Sequence, residues 1–127
     1  DEKAPELYTG IEVGFSSLCI DKAITYAFVD SVIRELSAIT PGDYIHIGGD
    51  ESHATEKKNY IQFVEKVQTI VNKYDKKMIG WADITAANLN NTSIAQYWNA
   101  DKNAQKANKT DSIDSAAFAH SSDITPR

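Results

Sequence analysis

The sequence predicts an α/β fold in which short parallel strands alternate with helices. Three observations carry that expectation. Two long stretches repeat apolar residues at helical offsets of three and four, and three short apolar runs fall between and after them. Each run is a block of consecutive apolar residues and not a clean alternation, the pattern of a parallel sheet buried on both faces by helices. The first run ends in Gly48-Gly49-Asp50-Glu51, the kind of join found where a barrel strand meets its active-site loop.

Residues 1–20 have little periodicity, and Pro5, Gly10 and Gly14 punctuate short extended pieces, so a loop with a brief strand near Gly10–Phe15 is expected. From about Thr25, the residues Ala27, Phe28, Val32, Ile33, Leu36 and Ile39 form one helical face. Thr25 or Asp21 can cap its start, and Thr40-Pro41-Gly42 ends it. A strand Tyr44–Ile47 follows, then a second helix over about Lys57–Tyr74 with Tyr60, Ile61, Val64, Val67, Ile70, Val71 and Tyr74 on one face, after a solvated start at Glu56-Lys57-Lys58. Met78–Trp81 and Ile94–Trp98 read as further strands, joined by a turn or short helix of Ala, Asn and Thr. Beyond Trp98 the pattern fades, with a helix over Asp101–Asn108 as the last element and a closing segment of Asp, Ser, Ala and Thr.

A chain of 127 residues holds one domain with a sizeable core. Its net charge of -5, with lysines interleaved among Asp, Glu and Asn, argues against nucleic-acid and anionic-membrane partners, which select clustered Lys and Arg. No apolar run approaches the ~20 residues that span a bilayer, and the charged start Asp1-Glu2-Lys3 does not open a signal peptide. The single cysteine, Cys19, forms no internal disulfide and reads as a small core hydrophobe, since no basic or histidine neighbour marks it as a nucleophile. Asn90-Asn91-Thr92, Asn91-Thr92-Ser93 and Asn108-Lys109-Thr110 match the glycosylation acceptor pattern, which Asn-rich loops also produce by chance.

The chemistry concentrates after the first strand. Gly48 and Gly49 free the chain to turn, so that Asp50 and Glu51, which a regular strand sends to opposite faces, can both address one pocket. Two carboxylates that close do not ionise independently, and an acid beside an anion is what cleavage of a glycosidic bond requires. The plainer reading of an Asp-Glu pair is a solvated cap on the next helix. Trp81 and Trp98 each end a strand, as core aromatics under the helices or as pocket walls. His46, an even number of residues from Asp50, can share its face, and its plainer reading is a structural histidine hydrogen-bonded behind the strand. With Asp50, Glu51 and His53 it also suggests a metal site, although none of the standard zinc spacings is present.

His46-Ile47-Gly48-Gly49-Asp50-Glu51 resembles the signature of glycoside hydrolase family 20, the β-N-acetylhexosaminidases. Upstream, Gly14-Phe15-Ser16-Ser17-Leu18 and Thr25-Tyr26-x-Phe28 resemble the lead-in to that strand, and downstream Gly80-Trp81 and Gln96-Tyr97-Trp98 resemble the next two barrel strands, so the likeness covers roughly 7–107. The resemblance implies part of a (β/α)8 TIM barrel, with residues 1–127 as one partial catalytic domain containing its middle strands and 108–127 unassigned.

It also implies a retaining glycosidase in which the substrate's own 2-acetamido oxygen is the nucleophile and no metal or other cofactor takes part. Matched onto this chain, Glu51 is the general acid and base, Asp50 orients the acetamido group, and Trp81, Trp98, Asp83 and His46 contact the sugar. The partners implied are N-acetylhexosamine-containing glycans or chitooligosaccharides, and the missing barrel segments or a second copy would complete an open sheet. The resemblance is compatible with a secreted or cell-surface parent. The rival expectation is a sugar-binding or assembly module that keeps the pocket motif without turnover. One departure stands out: many family members carry an acidic residue soon after the tryptophan, whereas this chain reads Trp81-Ala82-Asp83, leaving Asp83 and not Ala82 for that role.

Overall fold

A computed structural model of the chain describes residues 6–96. Within them the order is α1 (Ala23–Ile39), β1 (Tyr44–His46), α2 (Lys57–Lys73), β2 (Lys77–Trp81), a short 3-10 helix (Ala82–Ala86) and β3 (Ile94–Gln96). The helix predicted over 101–108 and the closing segment lie outside the described residues. The three strands form one parallel sheet in the order β1-β2-β3. Neighbours in sequence are neighbours in the sheet, with none of the reversal that marks a doubly wound fold. This is the progression of a barrel, in which each strand is laid beside the last after a helical crossover.

Boundaries moved by a residue or two, and some expectations were corrected. No strand forms between Gly10 and Phe15. The α1 helix begins after Lys22 without a side-chain cap, and Thr25 lies inside it, its hydroxyl donating to the Cys19 carbonyl at 2.6 Å. That turn uses the Cys19 backbone and leaves its side chain outside, so Cys19 is exposed and not a core hydrophobe. Thr40 ends α1 as expected, its amide and hydroxyl both donating to the Leu36 carbonyl.

The α2 face matches the predicted periodicity. Val64, Val67 and Val71 are buried, flanked by Tyr60, Ile61, Ile70 and Tyr74, and they meet Ile45, Met78 and Ala95 from the sheet with Ile84 from the 3-10 helix. On α1 only Ile33 of the predicted face is buried. Thr25 and Ile33 are buried and Val29 packs beside the core, whereas Phe28 and Ile39 are 57% and 76% exposed and Val32 and Leu36 are exposed too. The helix carries two apolar stripes, and sequence periodicity merged them. One meets α2 and β1, and the other is left exposed among the described residues.

The sheet shows the same asymmetry. Ile45, Met78, Gly80 and Ala95 lie on the face covered by helices. Tyr44, His46, Ile79 and Trp81 lie on the other, which is only partly covered. Burial on both faces, as the apolar runs suggested, therefore holds for one face among the described residues. The open face is the barrel's interior side, which is filled by side chains from all strands of a closed barrel.

The two helices are tied by Asp30, whose carboxylate accepts from Lys73 Nζ at 2.8 Å and from the Tyr74 hydroxyl at 2.9 Å. These hydrogen bonds to Lys73 and Tyr74 hold the Asp30 carboxyl below its usual pKa, and the bond to Asp30 holds the Lys73 ammonium above its own. Stabilisation from Asp30 is therefore complete above the ordinary carboxylate value of 3.8 and fades as pH falls through the depressed folded value. Melting curves carried from neutral pH to well below 3.8 should show an acid-side loss of stability that is smaller in Asp30→Asn, the screened surface pairing keeping the difference modest.

Candidate functional site

After His46 the β1 backbone keeps its ladder for two more residues, with Ile47 N–H donating to Ile79 and Trp81 N–H donating to Gly48, both at 2.8 Å. It then turns sharply through positive φ at Gly48 (73°), Gly49 (97°) and Glu51 (46°). A Cβ at Gly49 would stand 2.9 Å from Ile84 Cγ2 and 3.1 Å from the Tyr60 oxygen, so both the conformation and the space require glycine there. The N-terminal segment braces the far side of the turn. Ala54 N–H donates to the Gly14 carbonyl at 2.8 Å, and Phe15 lies against His53 at a ring separation of 6.2 Å.

His46 sits on the open face beside the neighbouring strand's Trp81, the rings meeting edge-on at 5.0 Å. Its Nδ1 accepts the Gly48 amide at 3.0 Å, which assigns the ring proton to Nε2 and fixes the imidazole against the turn. Trp81 is half-buried on the sheet face opposite Met78 and Gly80, so it is not a core aromatic under the helices. It faces the interior side at the C-terminal end of β2, where barrel active sites lie. Trp98 lies outside the described residues.

The two carboxylates follow the turn. Glu51, partly buried, lines a cleft of about 240 Å³ together with His53, Lys57, Tyr60 and Asp83. Asp50 is exposed and lines a neighbouring, more apolar cleft of about 360 Å³ with Leu18, Ile47 and Phe63. Both open from the loops at the C-terminal ends of the strands and share Gly49, Ser52, Thr55 and Tyr60 as a dividing wall. Among the described residues the two carboxylates thus line adjoining clefts with a common wall. The reversal at Glu51 separates consecutive side chains, and a barrel mouth is closed by loops from other strands.

Asp83 is exposed in the first turn of the 3-10 helix and reaches the Glu51 cleft, not the Trp81 face. Among the described residues no three His, Cys, Asp or Glu side chains are grouped to hold a metal ion. Tyr60 is the site residue that sequence periodicity missed, because it was read as one of α2's apolar positions. Its hydroxyl donates to the Gly49 carbonyl at 2.6 Å. Burial first, and then the Asp83 and Asp50 carboxylates, push its pKa well up, keeping it a protonated donor. The signal available was the phenol itself, since a buried tyrosine hydroxyl needs a partner.

Parallel strands in sequential order, with an acidic glycine turn on one C-terminal end and an aromatic on the next, define part of a (β/α)8 barrel at its active-site edge. The family model for the catalytic domain of glycosyl hydrolase family 20 matches residues 2–119, and the chain belongs to that family. It is 42% identical over 98 residues to a β-N-acetylhexosaminidase of Cellulomonas fimi, covering 76% of this chain and 20% of that protein.

Among solved structures, a Streptomyces plicatus N-acetyl-β-hexosaminidase in complex with Thio-NAglucal superposes with a TM-score of 0.74 at 50% identity, over 84% of this chain and 22% of that one. A family 20 β-N-acetylhexosaminidase from Streptomyces coelicolor gives the same TM-score at 47% identity, over 83% of this chain and 22% of that one. The chain thus spans about a fifth of the length of these relatives.

Proposed function

We propose that the barrel of which this chain is part removes terminal β-linked N-acetylhexosamine from glycans with retention of configuration. The observation that carries this reading is the Gly48-Gly49 turn, which delivers Asp50 and Glu51 at the end of β1 with Trp81 beside it on β2, in a chain of family 20. Glu51 protonates the leaving oxygen as the 2-acetamido oxygen bonds to the anomeric carbon, giving an oxazolinium intermediate. Glu51 then takes a proton from the water that opens it. Asp50 accepts the acetamido N–H and balances the charge on the ring, an interaction worth most where it is preorganised and dry. Trp81 and Trp98 wall the sugar, His46 holds the turn and Trp81 in place, and Asp83 contacts substrate from the Glu51 side.

The test is hydrolysis of a chromogenic β-N-acetylglucosaminide by this chain and by the complete barrel, each with and without a chelator. Turnover by the complete barrel that EDTA leaves unchanged is expected. Absence of turnover by the complete, folded barrel would overturn the reading, and loss with EDTA would overturn its metal-free chemistry. Turnover by the isolated chain would show that copies assemble a site, for which the exposed stripe Phe28, Val32, Leu36 and Ile39 is the available contact surface.

A further inference from the structure

We propose that Tyr60 is a positioning residue for the reaction, clamping the Gly49 carbonyl so that the Glu51 carboxyl meets the leaving oxygen. This rests on the reading of Glu51 as the general acid. Gly48, Gly49 and Glu51 all hold positive φ, and only the glycines tolerate it freely, so the turn relaxes unless its surroundings hold it. Three contacts do so. The His46 ring takes the Gly48 amide, Trp81 N–H takes the Gly48 carbonyl, and Tyr60 takes the Gly49 carbonyl.

The first two restrain the β1 end of the turn. Tyr60 acts one residue further on, and it comes from α2, an element anchored in the core through Val64, Val67 and Val71. Ile84 and the Tyr60 hydroxyl both crowd the position a Cβ would take on Gly49, so the peptide before Asp50 is packed as well as hydrogen-bonded. Tyr60 also forms part of the wall between the Glu51 and Asp50 clefts. A hydrogen bond on the Gly49 carbonyl fixes the course of the turn that leads to Glu51. Precise placement of a reacting group accounts for large rate factors, and a 1 Å displacement costs up to about 100-fold.

The experiment compares the complete barrel with its Tyr60→Phe and Tyr74→Phe variants on two substrates. A dinitrophenyl β-N-acetylglucosaminide departs with little help from an acid, whereas an N-acetylglucosamine disaccharide needs a proton on its leaving oxygen. Tyr60→Phe keeps the ring and is expected to lower kcat on the disaccharide by about 10- to 100-fold, with a much smaller loss on the dinitrophenyl substrate and KM within about twofold. Tyr74→Phe removes a hydroxyl bonded to Asp30, just past the C-terminal end of α2, and controls for a merely structural loss. It should lower the melting temperature without discriminating between the substrates.

Wild-type rates in Tyr60→Phe on both substrates would overturn the proposal. So would equal losses on both, or a profile matching Tyr74→Phe. The underlying reading fails separately: a barrel that is inactive, or that stays active as Glu51→Gln, removes the acid Tyr60 is said to aim, and the proposal falls with it.

Discussion

Glu51→Gln in the complete barrel is expected to lower kcat/KM on a β-N-acetylglucosaminide by about 10²–10⁴-fold, the usual scale for a lost general acid and base. Glutamine keeps the size of the side chain and the backbone conformation at φ 46°, so the turn and the fold are retained while the transferable proton is lost. The loss should be greatest for substrates with poor leaving groups, because protonation of the departing oxygen is what the carboxyl contributes. Rates measured on a series of aryl glycosides check this. Undiminished turnover removes Glu51 from the role and returns the Asp50-Glu51 pair to a solvated loop.

Met78→Ala is expected to cost about 2–5 kcal/mol of stability, the range for truncating a fully buried long side chain. Met78 is 0% exposed in the central strand, in register with Ile45 of β1, and shares its core with Val64, Val67, Val71 and Ile84. Truncation leaves a void beneath the strand whose end carries Trp81, at the one place where both neighbouring strands and α2 meet. Met78→Leu conserves volume and should cost less than about 1.5 kcal/mol. Urea unfolding separates the two: a lower midpoint at unchanged slope reports lost packing, whereas a changed slope reports a different unfolded or native compactness. A midpoint equal to wild type for Met78→Ala would mean that the core closes over the gap.

The elements that were legible in the sequence are those whose signals are local. The α2 face, from Tyr60 through Val64 and Val71 to Tyr74, follows from offsets of three and four. The parallel strands follow from apolar runs too short for helices. The Gly48-Gly49 turn follows from the only residues that adopt its backbone conformation without strain. The family likewise shows in contiguous motifs, His46 to Glu51 and Gly80-Trp81, which the match over residues 2–119 bears out.

Other features depend on which surfaces meet, and no window of sequence reports that. Periodicity places Phe28, Val32, Ile33 and Leu36 of α1 on one face, but only packing shows that Ile33 turns inward with Thr25 and Val29 while the other three stay exposed. Cys19 looked like a core residue by type and is exposed because the turn before α1 spends its backbone on Thr25 and Lys22. Trp81 could have packed under a helix or faced the barrel interior, and its register between Gly80 and the strand end settles the face.

The division has a physical basis. Residue type and spacing constrain torsion angles and local amphipathicity, which act over a few residues, so the strands, helices and the acidic glycine turn were readable from the chain alone. The placing of Asp50 and Glu51 in adjoining clefts, the edge-on contact of His46 with Trp81 and the hold of Tyr60 on Gly49 depend on tertiary structure, the last two joining residues 35 and 11 apart along the chain. Those arise only when parallel pairing and helix packing bring the segments together, because hydrogen bonds and ring contacts act over a few ångströms of space and not along the sequence.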